Sequence, residues 1–171
     1  MNQSIALPSR RLSLVAAMGE NRVIGSGGGL PWKLPDEMQQ FRALTLGHAV
    51  IMGRQNFEAE GKPLPHRRNL VLTRQSDWSA EGVEVFNDLN AAVDAVADDV
   101  EPFIVGGQGI YELALPRVDR MYLTTVHGEF AGDTFFPEFD EAGWRVIDQR
   151  HHAADGRHEY AFTIRTYDRA T

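Results

Sequence analysis

Four stretches of the chain bring together residue types that could do chemistry. The first is GSGGGLPWKLPDE, residues 25–37, where a glycine-rich run, the indole of Trp32 and two carboxylates, Asp36 and Glu37, follow one another. No Gly-Lys-Ser/Thr follows the glycines and they do not lead straight into a helix, so this is not a phosphate loop. Glycine carries the least steric restriction, so the run can pass close over a flat ligand as a lid; taken alone it is equally an ordinary connection. Glu37 and Phe41 are four apart and share an apolar helix face with Met38 and Leu44. A carboxylate on that face loses water, its pKa rises, and it can hold a proton near neutral pH. The usual role of an acid in a first helical turn is a solvated partner of the helix dipole, and that reading is given to Asp36.

The second stretch, FIVGGQGIYE over residues 103–112, runs from an apolar strand through glycines into a helix. It suits a pyrophosphate against backbone N–H groups, but it lacks the third glycine of G-x-G-x-x-G and reads equally as a tight turn. The third comprises Arg54 and Arg74, each just past the end of a strand, where ligands of open α/β sheets bind. Together they could neutralise a phosphate; singly they are ordinary loop cations. The fourth is Arg67 and Arg68 behind the stiff Pro63-Leu64-Pro65, which could hold a guanidinium ready for a carboxylate, surface arginine being the plain alternative. His151, His152 and His158 invite a metal reading; with no cysteine and strand positions they read as solvated side chains, and no metal is expected.

The elements that must position these groups follow from periodicity. Residues 11–18 (RLSLVAAM) suit a buried central strand, and residues 19–35, with five glycines and two prolines, are too rich in breakers for regular structure. A helix from Asp36 ends near Gly47. Strands over 48–53, 69–73, 83–86 and 103–107 alternate with helices over 54–60, 88–98 and 107–115, which specifies a mainly parallel sheet with helices on both faces. Residues 121–126, 144–150 and 158–168 are strands without helices between them, an antiparallel end. At 171 residues and 43% hydrophobic composition the chain supports one core. Residues 1–10 read as a short tail and 11–171 as a single domain. The formal net charge of −7 argues against nucleic acid and anionic membranes as partners, and the absence of cysteine excludes a thiol nucleophile and a disulfide scaffold. No apolar run is long enough to span a bilayer and none of the leading residues forms a signal region, so the protein is expected to be cytoplasmic, and its acidic surface points to a monomer.

VIGSGGGLPWKLPDEMQQF, VIMGRQNFE, KPLPHRRNLVLTR, FIVGGQGIYELALP, MYLTTV and GDTFFPEF occur in this order. In residue types and spacing they resemble the dihydrofolate reductases of the bacterial chromosomal type, from about Leu12 to the C-terminus. The resemblance implies an α/β fold with an eight-stranded, mostly parallel sheet and an antiparallel C-terminal strand. It implies reduction of 7,8-dihydrofolate by NADPH for one-carbon metabolism, with antifolates as further small-molecule ligands. Glu37 would hydrogen-bond the 2-amino group and N3 of the pterin, Trp32 would hold a water beside it, Thr124 would support the carboxylate, Leu30 would close the lid, and Tyr111 would lie near the reacting rings. Val15, Ala16, Phe41 and Val105 would line the substrate pocket, with Arg42, Lys62 and Leu64 farther out and Arg67 gripping the glutamate tail. On the cofactor side the matching positions are Ala17, Val23, Ile24, Gly25 and Gly29; Gly53, Arg54, Gln55 and Asn56; Leu72, Thr73 and Arg74; and Gly106, Gly107, Gln108, Gly109 and Ile110. Arg54 and Arg74 would face the 2′-phosphate, and Gly106–Gly107 would be a cis peptide.

Three positions depart from the family pattern. Glu37 stands where many relatives carry Asp, Asn56 where Thr is usual, and Glu60 where an aliphatic residue normally touches the benzoyl group. A pyrimidine reductase of the same fold, a non-catalytic nucleotide-binding module and a scaffold protein are the competing readings; Trp32 with Glu37 and Arg67 answers a pterin edge and a glutamate tail and argues against the first, the presence of the Glu37 carboxylate against the second, and long Gly-rich loops, which cost order and serve no scaffold, against the third.

Overall fold

The computed structural model describes residues 10–25 and 29–170. The expected tail over residues 1–10, apart from Arg10, and the middle of the expected lid, Ser26 to Gly28, lie outside the described residues. Arg10 itself donates to the backbone carbonyl of Val93.

Eight strands form one sheet in the order β5-β4-β3-β6-β1-β7-β10-β9: β1 (Ser13–Gly19), β3 (Ala49–Gly53), β4 (Arg68–Leu72), β5 (Val83–Phe86), β6 (Phe103–Gly106), β7 (Arg120–Val126), β9 (Trp144–His152) and β10 (Phe162–Arg169). Neighbours are parallel everywhere except where β10 meets β7 and β9, so β10 is the single reversed strand. The apolar run of β1 fits its place: Leu14 is fully buried, Val15 and Ala16 nearly so, and a parallel strand covered on both faces needs apolar residues at successive positions.

Among the described residues, four α-helices cover the two faces. On one lie α1 (Pro35–Thr45) and α2 (Arg54–Glu60), whose Phe41, Leu44 and Phe57 pack with Val15, Val50, Met52, Val71 and Phe103. On the other lie α3 (Leu89–Ala95) and α4 (Gln108–Ala114), whose Leu89, Val93, Tyr111 and Ala114 pack with Leu14, Ile51, Leu70, Ile104 and Met121. Strand alternation explains the split, since Leu14 and Val15 point to opposite faces, as do Ile51 and Met52. A third cluster joins Trp32 and Leu34 to Val126, Phe162 and Ile164 at the C-terminal end of β7.

Several expected boundaries move, for local reasons. The glycine-rich segment contains a short strand, β2 (Val23–Gly25), paired antiparallel with β8 (Thr134–Phe135) in a separate two-stranded sheet. The helix expected over 88–98 is shorter because the Asp88 side chain accepts from Asn90 N and caps it from outside, while Asp98 and Asp99 would meet the negative helix end. The strand expected from residue 158 begins at Phe162, because His158 closes a turn with Asp155 through reciprocal backbone hydrogen bonds of 2.9 and 3.2 Å.

Candidate active site

A cleft of about 870 Å³ opens at the C-terminal edge of the sheet, where β1 and β6 part. Those strands pair only at Ser13–Phe103 and Leu14–Ile104, whereas β1 stays in register with β7 through Gly19–Val126. The parted ends supply the floor, with Val15, Ala16 and Ala17 on one side and Val105 and Gly106 on the other. The Tyr111 hydroxyl sits in the fork, 2.9 Å from the Val15 carbonyl oxygen and 3.0 Å from that of Val105, and shares its proton between them. Burial, then the nearby Glu37 charge, pushes its pKa far up, so the phenol keeps that proton. Gly106 lies at φ 115, and a Cβ there would stand 3.0 Å from the Tyr111 hydroxyl, so only glycine fits. The Gly106–Gly107 peptide is cis, as the resemblance implied.

α1 delivers the carboxylate. Pro35 at its first turn has no N–H to satisfy, and Asp36 and Glu37 suit the positive helix end. Leu34 supplies no side-chain cap; instead His158, from the turn before β10, accepts the Asp36 N–H on Nε2 at 3.1 Å. One turn of helix then brings Glu37 and Phe41 to the same wall of the cleft. Glu37 is 8% exposed, and the Thr124 hydroxyl donates to its Oε1 at 3.2 Å. Burial raises its pKa and the Thr124 hydrogen bond only partly offsets this. Behind it Trp32 is buried edge-on against Phe130, and its indole Nε1 has no hydrogen-bond partner among the described residues.

The cations lie at the two ends. Arg54 and Arg74 line one end; Arg54 Nη1 donates to both Glu58 carboxylate oxygens at 3.0 Å, while Arg74 is exposed with no acidic partner among the described residues. Near the other end Arg67 donates from Nε to Thr45 Oγ1 at 2.7 Å and from Nη2 to the Arg42 carbonyl at 2.7 Å, and Nη1 donates to the Pro65 carbonyl. Three of the five guanidinium N–H groups hold the side chain still, and two remain without a partner among the described residues, the number a carboxylate takes in a fork.

Most of the residues singled out from the sequence meet on this one surface. Leu30, Lys62 and Leu64 are on its rim; Ile24, Gly25, Gly29, Gly53, Gln55, Asn56, Leu72 and Thr73 line it, as do residues 107–110 at the start of α4. Trp32 and Thr124 stand behind Glu37 rather than in the wall, and Arg42 and Arg67 lie outside it. Val23 is not a wall residue: alternation along β2 turns it inward, where it packs over Gly132. Glu60 is exposed and stays on the rim at the end of α2. Met52, Ala59, Gln75, Asp133 and Thr134 also line the cleft and were not foreseen. Ala59 follows helically from Asn56, and Thr134 from the unforeseen pairing of β2 with β8. Asp36 and two of the histidines require correction. Asp36 is half-buried against His152, with Nε2 3.0 Å from its Oδ2, and His158 is fully enclosed, because the hairpin end of β9 and β10 folds over the start of α1.

Comparison with known proteins places this geometry. A family model described as dihydrofolate reductase matches residues 11–169. The chain is 44% identical over 158 residues to the dihydrofolate reductase type 3 of Salmonella typhimurium, covering 92% of this chain and 98% of that one. It is 38% identical over 158 residues to a dihydrofolate reductase of Bacillus subtilis (strain 168), covering 92% and 94%. A solved structure of dihydrofolate reductase from Enterococcus faecalis, complexed with NADP(H) and RAB-propyl, superposes with a TM-score of 0.89 at 34% identity, covering 94% of this chain and 97% of that one.

Two stability measurements follow from the geometry. Tyr111→Phe leaves the Val15 and Val105 carbonyls without their shared donor and should lower the unfolding free energy in urea by about 1–3 kcal/mol; an unchanged midpoint would show that the fork does not need the hydroxyl. Burial raises the Glu37 pKa above the ordinary carboxylate range in the folded protein, so the folded state binds the proton more tightly and stability falls as pH rises through that raised pKa. Glu37→Gln keeps an acceptor for Thr124 without the charge. It should melt at a higher temperature than wild type at pH 7.5, with the difference closing as the pH is lowered toward 4.5.

Proposed function

The chain belongs to the dihydrofolate reductase family, and from that membership we propose that residues 11–171 act as one unit that reduces 7,8-dihydrofolate to 5,6,7,8-tetrahydrofolate with NADPH, Glu37 addressing the pterin. The observation that carries the assignment of Glu37 is a desolvated carboxylate facing a cleft beside Phe41, with one hydroxyl for support. Such a group meets a neutral, hydrogen-bonding heterocycle edge without a second charge to neutralise it.

The cleft suits the cofactor by its volume and by what its glycines leave open. A Cβ at Gly107 or Gly109 would meet nothing within 4 Å, so packing within the protein does not demand glycine there, whereas a ligand lying against the backbone does. Arg74, assisted by Arg54, is the group we assign to the 2′-phosphate, which favours NADPH over NADH. When bound, NADPH supplies the hydride that passes from nicotinamide C4 to pterin C6. Glu37 accepts hydrogen bonds from the 2-amino group and N3 and maintains the ring's tautomer. Trp32 Nε1 offers its unused donor to a water beside Glu37, and the proton for N5 arrives through solvent. Phe41, with Val15, Ala16 and Val105, packs on the rings and excludes bulk water. Leu30, half-exposed on the rim, closes over the nicotinamide. Tyr111 acts by position, since its hydroxyl is committed to two carbonyls. Arg67 takes the α-carboxylate of the glutamate tail with its two remaining donors. The acidic composition and the small-molecule cleft support a cytoplasmic monomer.

The direct test follows nicotinamide absorbance with purified protein, NADPH and dihydrofolate, with NADH and a folate-free sample alongside. Consumption should require both NADPH and dihydrofolate; silence despite NADPH binding would overturn the assignment. Glu37→Gln should cut the rate at neutral pH by about 100-fold or more while sparing NADPH binding, and full activity would remove Glu37 from the mechanism. Arg67→Leu should raise the KM for dihydrofolate by about 10- to 100-fold with little change in kcat. Arg67→Lys, which keeps the charge and loses the fork, should fall between; an unchanged KM in both would send the tail elsewhere.

A further inference from the structure

On the outer side of α1, away from the cleft, three side chains of ligand type converge. Asp36 begins the helix, His152 ends β9, and His158 sits in the turn before β10. Asp36 Oδ2 lies 3.0 Å from His152 Nε2 and 3.8 Å from His158 Nε2, and the three donor atoms fall within 4.8 Å of one another. Both imidazoles are held from behind. His152 Nδ1 is 2.8 Å from the Ala153 carbonyl oxygen and His158 Nδ1 is 2.8 Å from Asp155 Oδ1. An oxygen acceptor at Nδ1 places a proton there, so that in the neutral ring Nε2 carries the lone pair, turned in each ring toward the same carboxylate oxygen. Packing fixes the ring planes as well: His152 stacks on buried Phe162 at 4.6 Å and 10°, and His158 is fully enclosed.

His158 Nε2 accepts the Asp36 N–H, while His152 Nε2 and Asp36 Oδ2 face each other at 3.0 Å, where either a proton on Nε2 or a metal cation can lie between them. A carbonyl or carboxylate behind each ligating ring is the arrangement that orients histidine on a metal and raises its basicity. We propose that Asp36, His152 and His158 form a zinc-class divalent metal site, with the remaining coordination position open to solvent on the exposed side of Asp36. The donor set excludes magnesium and calcium, which require mostly oxygen ligands, and matches the borderline cations that two imidazoles and one carboxylate select.

Two contacts change on binding. The lone pair of His158 Nε2 is shared with the Asp36 N–H at 3.1 Å, so a metal ion displaces one backbone hydrogen bond at the helix start. Arg157, whose Nη1 lies 3.5 Å from Asp36 Oδ1, is largely exposed and free to swing away. In exchange the ion ties α1 directly to the β9–β10 hairpin.

The test uses the full chain stripped with a chelator and dialysed free of it. Titration calorimetry with zinc chloride at pH 7.5 should show one equivalent bound, with no heat from magnesium chloride. Zinc at a hundredfold excess over its dissociation constant should raise the melting temperature by about 5–10 °C. Cobalt chloride in place of zinc should give the intense visible bands of a four-coordinate ion. His158→Ala removes a buried ring that also receives the Asp36 amide, and its failure to fold would say nothing about metal, so the deciding variant is His152→Ala. It should weaken zinc binding by about 100-fold or more while the rate of NADPH oxidation without zinc stays at the wild-type value. His151→Ala, one residue away, should bind zinc as wild type does. No zinc binding, equal binding in His152→Ala, loss of binding in His151→Ala, or a six-coordinate cobalt spectrum would each overturn the site.

Discussion

Two parallel strands that leave one another impose a constraint on everything around them. After Leu14 and Ile104 the carbonyls at the diverging ends of β1 and β6 face each other across a widening gap instead of a ladder partner. A buried carbonyl without a donor is costly, and the Tyr111 hydroxyl answers two of them at once. That single proton holds the gap at a set width. Gly106 must lack a side chain because the phenol occupies the space, and α4 must start where it does because it carries Tyr111. The cleft is therefore not a hollow left over from packing. It is the space between two strands that a third element keeps apart.

Glu37 depends on the same arrangement. Its carboxylate is desolvated by the elements that line the gap, and the hydroxyl that donates to it, Thr124, sits on the β7 strand that β1 still follows in register. One neighbour of β1 parts from it and makes the room, while the other stays and supplies the support. The arginines are kept at a distance from the carboxylate. Arg67 is braced on α1 and the turn before β4, and Arg54 and Arg74 are carried at the ends of β3 and β4. This leaves Glu37 among the apolar walls that Val15, Ala16, Phe41 and Val105 give the middle of the cleft.

Much of this was legible in the sequence. The alternation of apolar runs with helical stretches specified the parallel sheet, and the unbroken apolar character of residues 11–18 specified its central strand. Spacing alone placed Glu37 and Phe41 on one face, since a helix of known handedness leaves no choice. What escaped notice depends on contacts between distant segments. The pairing of β2 with β8 joins short stretches more than a hundred positions apart and has no periodicity long enough to read. Asp36 reads as solvated because an acid in a first helical turn usually is, and the histidines because strand histidines in a chain without cysteine usually are. Only the closing of the hairpin over the helix brings them together.

The His158 contact also has a bearing on the order in which the chain becomes whole. The amide that begins α1 finds its acceptor 122 residues further along. At ribosomal rates of about 5–20 residues per second, that acceptor is synthesised roughly 6–24 s after the helix it completes. During that interval Pro35 to Thr45 can coil but its first turn lacks its cap, and Glu37 has neither Thr124 nor a closed wall beside it. Assembly of the site is thus tied to synthesis of the C-terminal hairpin, and a nascent chain that has folded its first strands still lacks the geometry to hold a pterin.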